Sequence, residues 1–272
     1  MDAQPLDHHA FYHEVDRRYR ESSGDGVLRF LENEMRRARS SGSEDAVVAV
    51  ASELGSVLRV RGEYERAEGL YDEAIRILEA RPSASLFSRV NLRINLGDVY
   101  VAWGRNADAV RLFDEAEGLL ECPESRPYQL SAICNNRSSA YRGLGRLTEA
   151  RKDLRRAGAL LERIPDSEGE RAVNGINLAQ ILLLEGRVEE ADQEMAPVLK
   201  AYETLSGGRD IHRPNALVVA GQIAYLRGDY RRASGYYGDA IAALVDKLGD
   251  SATVRGLREQ KAKIDRLVGL AD

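Results

Sequence analysis

Five times in this chain a glycine stands five residues before an alanine: Gly62 and Ala67, Gly104 and Ala109, Gly145 and Ala150, Gly186 and Ala191, Gly228 and Ala233. Successive alanines are 42, 41, 41 and 42 residues apart. Four residues after them come Tyr71, Phe113, Leu154, Met195 and Tyr237, and seven after them Ala74, Ala116, Ala157, Val198 and Ala240. This register describes a helical hairpin used five times. The glycine ends a first helix in a left-handed conformation that other residues adopt at a cost. The alanine opens the inward face of a second helix, and offsets of four and seven continue that face. A single such hairpin cannot bury its own apolar stripe, so neighbours have to stack.

The segments Leu96-Gly97, Tyr100, Gly104, Ala109, Phe113, Ala116, Pro123 and Leu54-Gly55, Gly62-Glu63-Tyr64, Ala67, Tyr71, Ala74 resemble the tetratricopeptide repeats. The common form of that repeat has about 34 residues, so this one is about two helical turns longer. In that longer form it resembles the repeats of kinesin light chains and of bacterial cytosolic receptors for signalling peptides. The resemblance implies an all-α, right-handed superhelical solenoid of stacked hairpins whose first helices line a concave groove. It covers about residues 46–245 and points to a fold far more than to a function.

The chain is expected to divide into an N-terminal helical cap or degenerate repeat (1–44), five hairpins (45–248) and a C-terminal capping helix (249–272). In the first part, two helices surround Ser22–Gly26, with Asp25 or Gly26 as a cap. In the last, Asp250 or Ser251 starts a helix carrying Val254, Leu257, Ile264 and Leu267. Breaks between repeats are expected at 81–83, 122–127, 164–167 and 206–209. Pro197, inside a second helix, should kink it.

Composition excludes several classes. The chain of 272 residues is 43% hydrophobic, which is globular, and its net charge of −5 argues against general nucleic-acid binding. No apolar run approaches the ~20 residues of a membrane helix. The N-terminal sequence lacks the basic start and apolar centre of a secretory signal, which makes a cytoplasmic protein the expectation. Cys122 and Cys134 are too few for a disulfide framework and fit a reducing compartment. No phosphate loop, nucleophile elbow or zinc-protease motif is present, so the expectation is a non-enzymatic protein with no cofactor. His9 and His13, four apart on a helix, supply only two of the ligands a zinc site needs.

The asparagines carry the functional reading. Asn95, Asn136 and Asn177 each precede their glycine by nine residues, on first helices where asparagine is a poor helix former. Such a ladder can offer donors and acceptors to the backbone of an extended peptide; the competing reading is that each carboxamide bonds a neighbouring repeat. Further groove positions lie 13, 10, 6 and 3 residues before each glycine. They add Asn91, Asn135, Arg59, Arg142, Gln180, Gln222 and Tyr225 to the candidate peptide-binding set. The arginines sit in the N-terminal half, where they could grip a carboxylate; the C-terminal half is more apolar. First helices carry no lysine, which argues against the two-carboxylate clamp of chaperone adaptors. The expected partner is a protein or peptide held in the groove of a regulatory receptor, with neither nucleic acid nor membrane. The alternative is a self-associating scaffold whose groove is filled by its own N-terminal helices or by a second copy, as in a homodimer.

Overall fold

Each of the five turn glycines has the positive φ its place requires, between +72° and +81°. The turns close as the register demands. In the first, the Gly62 and Glu63 amides donate to the carbonyls of Arg59 and Leu58; in the second, Gly104 and Arg105 donate to Val101 and Tyr100. These bonds satisfy carbonyls that a helix end leaves open. The computed structural model describes residues 7–21, 24–204, 212–248 and 250–269, and the predicted break at 206–209 lies outside them. Among the described residues there are thirteen α-helices and no strand.

By its internal contacts the chain forms two compact units, Met1–Gly145 and Arg146–Asp272, the division of the chain falling in the turn of the third hairpin. The first unit holds α1 (His8–Glu21), α2 (Gly24–Ser41), α3 (Glu44–Val60), α4 (Tyr64–Glu79), α5 (Leu86–Ala102), α6 (Asn106–Gly118) and α7 (Pro127–Gly143). Here the first helices α3, α5 and α7 pack directly on one another, while α4 and α6 meet chiefly through α5. The first-helix side is therefore the inner side of this stack. The second unit holds α8 (Leu147–Leu161), α9 (Glu168–Leu184), α10 (Val188–Thr204), α11 (Arg213–Leu226), α12 (Tyr230–Leu248) and α13 (Ala252–Leu267), with α9 against α11 and α13 against α12.

Ala67, Ala109, Ala150, Ala191 and Ala233 are all 0% exposed, which fixes the inward face of every second helix. The residues four further on are as deeply buried, from Tyr71 and Phe113 at 0% to Tyr237 at 6%. Their bulk is accommodated by missing side chains on the first helix. A Cβ built on Gly55 would lie 2.4 Å from the Tyr71 ring, and one on Gly97 2.6 Å from the Phe113 ring. The N-terminal helix α2 repeats the same face with Leu31, Met35 and Ala38, all buried. We expect Ala109→Leu to destabilise the protein by about 1–3 kcal/mol through overpacking. Ala107→Leu, on the exposed side of the same helix, should stay within about 0.5 kcal/mol. Chemical denaturation compares the two, and equal losses would mean the face is misassigned.

Charges tie neighbouring repeats together. Arg137, 7% exposed, donates to Asp114 (2.6 Å) and Glu117 (2.8 Å), and Arg93, also buried, pairs with Glu79. Several details differ from the sequence expectation. Asp25 is not a cap but lies in the first turn of α2, where the helix terminus favours an anion, and its carboxylate pairs with Arg61 at 2.7 Å. Ser251 does cap α13, accepting from the Val254 amide. In that helix Val254 and Ile264 are buried, but Leu267 is 57% exposed. Helix α10 continues through Pro197, whose ring is exposed and which has no N–H to give the carbonyl one turn back.

Candidate functional site

The inner face of the first unit converges on the hydroxyl of Tyr71. That ring rises from α4 through the gap left by Gly55, and its hydroxyl donates to the Ser52 carbonyl at 3.0 Å. Burial pushes the phenol well above its usual range; a hydrogen bond with Ser56 and the Arg59 charge oppose this, and the Asp98 and Glu53 charges add to it. The Asn95 carboxamide crosses from α5 to donate to Ser52 Oγ at 3.3 Å. One member of the asparagine column thus does bond its neighbouring repeat. That bond uses one of the four hydrogen-bonding capacities of the carboxamide.

Asn91, Asn95, Asn135, Asn136 and Arg59 are half-buried, and Arg142 is exposed. Of the flanking positions, Ile94 is buried at 7% and belongs to the core rather than to a lining.

Two carboxylates join these residues: Asp98, at one of the counted groove positions, and Glu53, which is not counted among them. Glu53 stands nine residues before Gly62, so it begins the column that continues with Asn95 and Asn136. The count that finds the asparagines also finds it. Asp98 stands six before Gly104. Burial raises the Asp98 carboxyl to about 7, against a smaller opposing pull from Arg59. Glu53 is raised by burial and then by the Asp16 carboxylate on α1. Tyr12 and Tyr19, 42% and 52% exposed, stand on the same helix; partial burial and then Glu53 raise both phenols. The end of the face nearest α1 is therefore acidic and aromatic, with Arg59 as its cation. His9 and His13 are exposed on α1, and the neighbouring Glu14 is held by Arg17 and Arg18 at 2.7 and 2.6 Å.

In the second unit, Asn177 and Gln180 are half-buried on α9, and Gln222 and Tyr225 are exposed on α11. Leu184 and Leu226 beside them are 59% and 56% exposed, giving this face an apolar character. Tyr225 lies against Tyr230 with ring centroids 5.4 Å apart. Asn174, by contrast, is 5% exposed and donates to the Leu154 carbonyl at 3.0 Å, a bond within the stack.

Left-handed glycine turns, alanine-faced second helices and first helices packed side by side define a helical-repeat solenoid, a fold that supports protein–protein interaction. Tetratricopeptide-repeat family models match residues 46–121 and 130–164, so these segments carry tetratricopeptide repeats and the chain resembles the repeat proteins of that kind. BtubC (BKLC) from P. vanneervenii is 18% identical, with a TM-score of 0.69 over 85% of this chain and 94% of that one. RapI in its apo form is 9% identical, with a TM-score of 0.65 over 97% and 99%. A Podosopora anserina protein of kinesin-light-chain type, with nearly identical repeats, is 20% identical, with a TM-score of 0.58 over 77% and 95%. At these identities the likeness is one of fold. No curated protein matches the sequence. No helix among the described residues is long and apolar enough to cross a membrane.

Proposed function

We propose that the chain is a non-enzymatic peptide-binding module acting as a receptor or adaptor, and that the inner face of the first unit holds an extended peptide. The observation that carries this is the half-buried column Glu53, Asn95 and Asn136 on three first helices that pack side by side. Helices at about 10 Å spacing present these groups at intervals of about three residues of extended chain. Carboxamides there offer both a donor and an acceptor to about every third peptide bond of the ligand. Asn91, Asn135 and Arg142 flank the column. Asn177, Gln180, Gln222 and Tyr225, beside the exposed Leu184 and Leu226, give the second unit a mixed polar and apolar face of its own for the same kind of ligand. Both cysteines are free, which fits a reducing cytoplasm.

The test places a photo-crosslinking amino acid at Ser139, on the inner face, or at Arg111, exposed on a second helix. Fluorescent, terminally blocked hexapeptide pools are the probe. Crosslinks concentrated at residue 139 are expected; equal yields from the two positions would contradict the reading. Tyr12, Asp16 and Tyr19 around Glu53 favour one alternative, in which α1 covers the end of the face and the protein self-associates. A sedimentation series over concentration distinguishes it, since the peptide receptor is expected to keep one molecular mass throughout.

A further inference from the structure

In the second hairpin a buried arginine bridges two second helices; in the fourth a glycine stands in its place. Arg93 on α5 is 8% exposed and precedes Gly104 by eleven residues. Its guanidinium pairs with Glu79 at the end of α4, comes within 3.7 Å of the Glu115 carboxylate on α6 and donates to the Arg89 carbonyl at 3.2 Å. Eleven residues before Gly186 the chain carries Gly175. The partner positions recur at the same offsets. Glu162 is twelve after Ala150 as Glu79 is twelve after Ala67, Arg171 corresponds to Arg89, and Pro197 takes the place of Glu115.

Gly175, Glu162, Arg171 and Pro197 all line one cavity of about 380 Å³ between α8 and α10. Val198 fills only the root of the missing side chain, since a Cβ on Gly175 would lie 2.5 Å from a Val198 methyl carbon. The open volume is at the lower end of ligand sites, which run from about 300 to 1,000 Å³. Its walls are acidic, because Glu168 and Glu194 join Glu162. Arg171, the cation on the lining, is already engaged, donating to Glu168 at 2.9 Å and to Ser167 Oγ at 3.0 Å. Glu162 and Glu194 have no ion pair among the described residues. Asn174, 5% exposed, adds a polar group to the wall.

We propose that this cavity receives an arginine side chain of a partner protein, whose guanidinium takes the place that Arg93 fills in the second hairpin. Glu162 and Glu194 would accept charge-assisted bonds from it, and the planar fork of arginine suits two carboxylates better than an ammonium does. The site lies between second helices and is separate from the inner face of the first unit. It therefore adds a second contact to the proposed receptor and does not depend on the first.

The experiment titrates the full chain with two fluorescent, terminally blocked peptides, Gly-Ser-Arg-Ser-Gly and the same peptide with citrulline, the uncharged isostere of arginine. High salt screens long-range attraction to the acidic chain. Anisotropy should show the arginine peptide binding about tenfold more tightly. In Glu162→Gln/Glu194→Gln protein that preference should vanish. It should vanish also in Gly175→Arg/Val198→Ala protein, which rebuilds the Arg93 and Ala116 arrangement and fills the cavity from within. Circular dichroism with a melting curve checks the folding of each variant, and the glutamine pair, which alters no volume, decides the matter if the filled variant misfolds. Equal affinities of the native chain for the two peptides would overturn the site, and so would a preference that survives in the glutamine pair. Failure of both peptides to bind, at any concentration the anisotropy can follow, would overturn it as well. Asn136→Ala separates the inner face from this site, since it should leave the ratio of the two affinities unchanged.

Discussion

Gly97→Ala should destabilise the protein by about 1–3 kcal/mol, a large effect for one methyl group. The added Cβ would stand 2.6 Å from the Phe113 ring, and Phe113 is fully buried, so the ring cannot swing clear. The melting temperature should drop by about 2–4 °C per kcal/mol for a chain of this size. Phe113→Leu removes the obstructing ring, so the double variant should lose less than the two single losses added together, by about 1 kcal/mol. The register shows the same exchange already made elsewhere. Where the first helix carries Ala179 instead of glycine, the second carries the flexible Met195 instead of an aromatic ring. Strictly additive losses at residues 97 and 113 would show that the glycine is not there to admit the ring.

Asp98→Asn should raise stability, and the gain should grow with pH. The folded protein holds the Asp98 proton up to about pH 7, whereas the ordinary value for the residue is 3.8. Between those values the native state binds more protons here than the unfolded chain, so native stability is lost as pH rises through that window. Asparagine carries no proton to lose and shows no such slope. The full displacement corresponds to about 4 kcal/mol at most, and the water that still reaches the groove should leave about 1–3 kcal/mol of it at pH 8. Near pH 4 the two proteins should melt within a degree or two of each other. Melting curves from pH 4 to 8 check this, and a difference that stays constant across that range would contradict the account of Asp98 as an acid whose proton is held by partial burial.

The hairpins were legible in the sequence because their determinants are local. A glycine that must adopt positive φ and an alanine that must lie against another helix leave fixed offsets in any chain that uses them, and all five repeats keep those offsets. The inner face was legible only in part. Counting back from each glycine finds Asn95 and Asn136, but the bond from Asn95 to Ser52 joins residues 43 apart and exists only because α3 and α5 stack. Glu53 and Asp98 stand at positions the same counts reach, but their ionisation is not legible in the sequence for a related reason. Their unusual state comes from burial, and burial at half-exposed groove positions is set by neighbours from other repeats. Asp25 shows the converse. It has the chemistry of a cap, but α2 begins one residue earlier, and the carboxylate instead serves the helix terminus and Arg61.

The measurement that bears most directly on peptide binding takes affinity and melting temperature from one variant, Asn136→Ala. Asn136 is half-buried in the column between α5 and the end of the unit, and alanine is the better helix former. Losing one or two hydrogen bonds to the peptide, worth about 0.5–1.5 kcal/mol each, should weaken the tightest hexapeptide pool about threefold to thirtyfold. The melting temperature should move by no more than a degree or two. A melting temperature that falls by many degrees while the folded fraction binds the pool as tightly as the native chain would assign the asparagine column to the stack, and peptide binding by this face would be refuted.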